Sequence, residues 1–181
     1  MLWRGAPQSR QQLAFLFWPD STDAQARLNL RSVLHRLRQA LPDADRFLHT
    51  DVHTIQWLSD VPFSLDVADF ETALLQADQT DRAGDSPSLQ ALLEQAVTLY
   101  QGDLLPGCYD DWILPHRERL REMAIGALDR LIGLAESQPD YRAAIRYAQQ
   151  LLRHDPLHET TYRHLMRLHT LIGDRVSALR T

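Results

Sequence analysis

Asp140-Tyr-Arg-Ala-Ala-Ile-Arg-Tyr-Ala-Gln-Gln-Leu-Leu-Arg-His-Asp-Pro156 is the stretch on which the fold turns, because its opening returns as Asp174-Arg-Val-Ser-Ala-Leu179. The shift is 34 residues, and Asp155-Pro156 closes the earlier copy between them. A period of that length is one helix-turn-helix unit, which cannot bury its apolar face alone and must stack on a neighbour. Small Ala144 and Ala178 then allow close helix approach, and Tyr162, Leu165 and Leu168 of the following helix fill the groove between units. The period is that of a tetratricopeptide-like repeat, broken off at Thr181 a few residues into a second helix.

Upstream of the repeat, helical apolar spacing continues over Asp66 to Ala77 and Ser88 to Tyr100, separated by the turn-rich Thr80 to Pro87. These two segments read as an antiparallel pair. A longer helix follows from about Pro115 to Glu136, carried by Leu120, Ala124, Leu128, Leu131 and Ala135, with Pro115 fitting its first turn. Residues 61–181 are thus a helical-repeat domain.

The first sixty residues read differently. Ser9-Arg-Gln-Gln12 matches a capping box and starts a helix with Leu13, Leu16 and Phe17 on its apolar stripe, stopped at Trp18-Pro19. Ser21, Thr22 and Asp23 are each able to cap a second helix, running to Leu41, in which Ala26, Leu30, Val33, Leu34, Leu37 and Leu41 recur at helical spacing. Arg46 to Thr50 and Thr54 to Leu58 then pair as a hairpin around Asp51-Val52-His53.

Charge separates these two parts. The chain of 181 residues has a net charge of -5, and all of its cations are arginine. Residues 1–60 stand at +1 and residues 61–181 at -6, while Thr22 to Leu41 carries four arginines against Asp23 alone. Such a local excess is a phosphate footprint or a solvated helix face. Arg27, Arg31 and Arg38 flank the apolar stripe of the second helix, and Asn29, Ser32, His35, Arg36 and Gln39 occupy the opposite arc. Those are side-chain types that hydrogen-bond base edges, as well as the types any surface helix shows.

Helix, polar turn, arginine-rich helix and hairpin follow one another in the order of a winged helix, where the second helix enters the major groove. Ser9-Arg-Gln-Gln-Leu through Trp18-Pro-Asp, with Ala26-Arg-Leu-Asn-Leu-Arg and Leu34-His-Arg-Leu-Arg-Gln-Ala-Leu41, resembles the winged helix of OmpR-type regulators and more closely that of SARP-type activators. Gly102-Asp-Leu-Leu-Pro-Gly-Cys-Tyr-Asp-Asp-Trp112 and Arg117-Glu-Arg-Leu-Arg121 resemble the bacterial transcriptional activator domain that follows it in that family.

The resemblance implies a mainly α protein. Residues 1–60 would be the C-terminal part of a winged-helix domain with a small hairpin, and residues 61–181 a C-terminally incomplete activator domain of tetratricopeptide-like repeats. It places the family's DNA-facing positions on Asn29, Arg31, Ser32, His35 and Arg36, with Arg27 and Arg38 on phosphates and Val52-His53 at the tip of the wing. It further implies binding to double-stranded promoter DNA, contact with RNA polymerase, and a repeat domain able to support a homodimer. The alternative on the residues alone is a helical-repeat interaction module that binds no DNA.

No catalytic chemistry is expected. His158-Glu159 lacks the second histidine of a zinc-protease motif, since position 162 is tyrosine, and His154, His158, His164 and His169 read as structural or solvated. One cysteine, Cys108, excludes an internal disulfide. No glycine-rich phosphate loop or nucleophile elbow is present, and Asp110-Asp111 read as helix caps. Tyr141, Tyr147 and Tyr162 read as packing surface. With no cofactor, no signal sequence and no apolar run near the roughly 18 to 20 residues that span a bilayer, the expected compartment is the cytoplasm.

Overall fold

The computed structural model describes residues 6–58 and 64–181. Contacts divide the chain into two compact units, Met1–Ser64 with Asp110–Trp112, and Leu65–Tyr109 with Ile113–Thr181. The first holds a small antiparallel sheet and two helices, and the second is helical.

In the first unit, β1 (Gln8–Ser9) leads into α1 (Arg10–Phe17) and α2 (Asp23–Ala40), followed by β2 (Leu48–Thr50) and β3 (Thr54–Trp57). Ser9 Oγ accepts from the Gln12 amide, as the capping box predicts, and Thr22 rather than Ser21 or Asp23 caps α2 by accepting from the Gln25 amide. The hairpin keeps its expected turn at Asp51-Val52-His53 but is shorter than its composition suggests, because Ala44–Arg46 turns as a 3-10 helix, β2 starts only at Leu48 and β3 ends at Trp57. The sequence gives no signal for β1. Its two residues add a third strand, in the order β1-β3-β2, with Gln8 opposite Ile55 and Ser9 opposite Thr54.

Ala14, Ala26, Leu30, Leu34, Leu48 and Ile55 form the core of this unit, with Leu13, Trp18 and Trp57 packed against it. The α2 stripe is narrower than its periodicity implies. Val33 and Leu37 lie on its edge and remain 42% and 36% exposed, since α1 and the sheet cover only the line through Ala26, Leu30 and Leu34. On α1 the buried position is Ala14, and Leu16 is exposed.

The second unit comprises α3 (Asp66–Ala83), α4 (Ser86–Leu99), α5 (Leu114–Ser137), α6 (Tyr141–His154), α7 (Glu159–Leu171) and α8 (Arg175–Arg180). Its apolar faces interlock around Phe70, Leu93, Ile113, Leu128, Leu131, Ile132, Leu151 and Leu168, all fully buried. The five apolar positions that define α5 in sequence are all buried. Leu165, Leu168 and Ala144 are all buried, while Tyr162 is half-exposed and donates its hydroxyl to the Pro156 carbonyl at 3.0 Å.

Repetition is written into the helix starts. Asp140 accepts from the Ala143 amide at 3.0 Å, and 34 residues later Asp174 accepts from the Ser177 amide at 3.0 Å, with nearly the same backbone angles. Asp85 caps α4 the same way, accepting from the Ser88 amide at 3.2 Å. Helix α3 runs six residues past its expected end, to Ala83. Nothing before Gly84 breaks it, and Asp78 and Asp81 in its last turns pair with Arg130 of α5 at 2.7 and 3.1 Å. Gly84, at φ 76°, supplies the left-handed turn that ends it. Asp110 and Asp111 do not cap α5, whose first residue is Leu114 after a 3-10 turn, with Ile113 at the cap position.

Candidate nucleic-acid interface

Three elements of the first unit converge on one concave surface. Pairing of β1 with β3 brings the start of α1 beside the hairpin turn, where the Arg10 amide donates to the His53 carbonyl at 2.8 Å and its guanidinium donates to the Asp51 carbonyl at 3.1 Å. From the other side α2 presents Arg27, Arg31 and Arg38 along one edge. The resulting cleft, about 710 Å³, is lined by Ser9, Arg10, Gln11, Arg27, Leu30, Arg31, Arg38, Thr50, Asp51, Val52 and His53.

Four arginines therefore line one hollow, and its lining includes a single carboxylate. That carboxylate, Asp51, is occupied with the turn. Its Oδ1 accepts from the His53 and Thr54 amides, each at 2.6 Å, and its Oδ2 accepts from the Thr54 hydroxyl at 2.7 Å. Bonds from Thr54, followed by that from His53, favour the ionised form and hold its pKa at about 2. The turn is thereby fixed with Val52 and His53 exposed at its tip.

Not all of the cations are equally available. Arg27 pairs with Asp23 one turn back on α2, with Nε 3.0 Å from Oδ1. Arg38 donates to the Thr50 hydroxyl and lies 3.6 Å from Asp45, so it braces α2 against the hairpin. Arg31 is exposed and has no ion-pair or hydrogen-bond partner among the described residues.

The spacing of α2 predicts one DNA-facing helix, and the structure divides its candidate residues into two sets. Arg27, Arg31, Arg38 and His53 line the cleft, and Arg10 joins them. Asn29, Ser32, His35 and Arg36 lie on a separate outward arc, linked by bonds one helical turn apart. Gln25 donates to Asn29 at 2.9 Å, Arg36 to Ser32 at 3.5 Å, and His35 meets Gln39 at 3.1 Å. Arg10 escapes sequence reasoning because its position in the cleft depends on β1, for which two residues carry no strand pattern.

The second unit has its own polar anchors. Arg117, in the first turn of α5, donates to the carbonyls of Leu104 (2.7 Å), Leu105 and Cys108 (2.8 Å), tying down the segment that joins α4 to α5. The Tyr147 hydroxyl donates to Glu94 at 2.5 Å, and burial together with that carboxylate pushes its pKa up to about 12. Among the described residues no three His, Cys, Asp or Glu side chains gather as metal ligands, and no helix is long and apolar enough to cross a membrane.

A family model described as the bacterial transcriptional activator domain matches residues 65–181, which takes in the whole helical run from α3 to α8. The chain belongs to the bacterial transcriptional activator domain family. That family is regulatory rather than enzymatic, and the match places this protein among transcription regulators. Within the activator domain, the Arg117 anchor and the Asp85 cap of α4 are polar features that sequence spacing alone does not reveal. No curated protein matches the chain.

Proposed function

We propose that this protein is a transcriptional activator that binds promoter DNA through its first unit and contacts other proteins through its activator domain. The first unit is the C-terminal part of a winged helix over residues 1–60, and the domain over residues 61–181 contacts RNA polymerase and supports a homodimer. The single observation that carries the DNA reading is the cleft in which Arg10, Arg27, Arg31 and Arg38 meet the hairpin turn. Arginine stays protonated at any physiological pH and its fork matches phosphate oxygens, so four of them along one hollow suit a DNA backbone. With a strand held there, the outward arc of Asn29, Ser32, His35 and Arg36 is free to meet base edges in the major groove.

The second reading is an interaction module without DNA affinity of its own. It draws support from the pairing of Arg27 with Asp23 and of Arg38 with Asp45, which leaves fewer uncompensated charges than the arginine count suggests. Fluorescence anisotropy of the full chain on random duplex DNA at about 0.05 M salt separates the two, because non-specific binding is electrostatic and strongest at low salt. Saturable binding that weakens as salt rises supports the activator; no binding at that salt favours the module.

A further inference from the structure

Leu28 is an apolar side chain that folding does not use. Two positions away on either side, Ala26 and Leu30 are buried in the core of the first unit. At about 100° per residue, Leu28 points about 160° away from each of them, and it is 55% exposed. Isolated exposed leucines are ordinary on protein surfaces, but the surroundings of this one are not neutral. Asn29 follows it in the chain, Ser32 lies one turn further along the same arc, and Arg36 stands a turn beyond that. Those three are side chains of the kind that hydrogen-bond base edges, and Leu28 sits among them as the apolar exception.

Charge says what this face meets. An open hollow of about 600 Å³ at the start of α2 is lined by Thr22, Asp23, Ala24, Arg27, Leu28 and Arg31. Its one carboxylate, Asp23, is paired with Arg27, and Arg31 has no ion-pair or hydrogen-bond partner among the described residues. The hollow is therefore an apolar patch with a spare positive charge beside it. Arg27 and Arg31 also line the larger cleft, so the patch continues the surface assigned above to DNA phosphates. In the major groove the bases present hydrogen-bonding atoms and one apolar group, the C5-methyl of thymine. We infer that Leu28 packs on that methyl group and makes thymine the preferred base at one position of the protein's DNA site. The inference rests on the DNA-binding reading above, and it adds a residue that reads by apolar contact rather than by hydrogen bonds.

The full chain is first used to select duplexes from a random library. In a selected duplex each thymine is then replaced in turn by deoxyuridine, which removes the methyl group and leaves base pairing unchanged. At one position the replacement is expected to weaken wild-type binding about fourfold, the amount that burial of one methyl-sized group contributes. Leu28→Ala should bind the thymine and uracil duplexes equally at that position while keeping the salt slope of the wild type. Alanine is the best helix former and the position is exposed, so the thermal midpoint should not fall.

A selected site in which no thymine responds to the replacement overturns the inference, as does a penalty that persists in Leu28→Ala. In both cases duplex binding itself is intact, so the DNA reading stands. Failure to bind any duplex removes the DNA reading and the inference with it. Self-association of the wild type that Leu28→Ala abolishes, read by sedimentation, makes a second copy of the chain the occupant and also overturns the inference.

Discussion

Substituting Arg31 by alanine probes the cleft most cleanly, because that side chain has no partner inside the protein among the described residues. Each phosphate neutralised by a cation releases counterions and contributes about -0.9 to the slope of log affinity against log salt. If Arg10, Arg27, Arg31 and Arg38 all engage phosphates, the wild-type slope is about -3.6, and affinity for random duplex falls about 150-fold between about 50 and 200 mM salt. Removing Arg31 should bring the slope to about -2.7 and the loss over the same range to about 40-fold. The assay is an anisotropy titration of fluorescent duplex at four or five salt concentrations, read as a slope rather than a single affinity. Arg27→Ala makes a useful contrast, because it also uncovers Asp23 and so adds repulsion that Arg31→Ala does not. A slope unchanged by Arg31→Ala, or a wild-type slope shallower than about -1, refutes the assignment of the cleft to phosphates.

Three further outcomes follow from other parts of the molecule. Arg36→Ala should cost about 1 to 3 kcal/mol of discrimination between a selected site and its mismatched variants while leaving the salt slope nearly unchanged, measured by competition binding. Leu128→Ala opens a cavity at a position with no exposed surface and should lower stability by about 2 to 5 kcal/mol in urea unfolding. At the hairpin, the Asp51 carboxyl is held near 2 against an ordinary 3.8, so it stabilises the folded turn fully above about pH 4 and loses that effect as pH falls toward 2. The protection of the Thr54 amide relative to its intrinsic exchange rate should fall over that window in wild type, and Asp51→Ala should remove that pH response.

Periodicity in the sequence located every long helix of the second unit, because its apolar side chains recur at helical spacing and their burial follows from stacking. Leu120, Ala124, Leu128, Leu131 and Ala135 are buried where their spacing puts them. What spacing misses are features set by single bonds between distant residues. The last turns of α3 are tied to α5 by Arg130, which reaches Asp78 and Asp81 some fifty positions away. Strand β1 depends on its partner β3, and with it the place of Arg10 in the cleft. Val33 and Leu37 show the opposite failure. Their spacing fits an apolar stripe, but burial is decided by which neighbours arrive, and here α1 and the sheet cover only part of the arc.

The Asp caps of α4, α6 and α8 have a mechanical consequence. Each closes its own helix start by a bond spanning three residues, so every second helix carries its own initiation point instead of borrowing one from its neighbour. Helices packed mainly against their sequence neighbours can open locally, and the three that carry an aspartate cap hold what they need to start again in place. The domain is thus able to restart a helix at three separate points along the chain rather than from one.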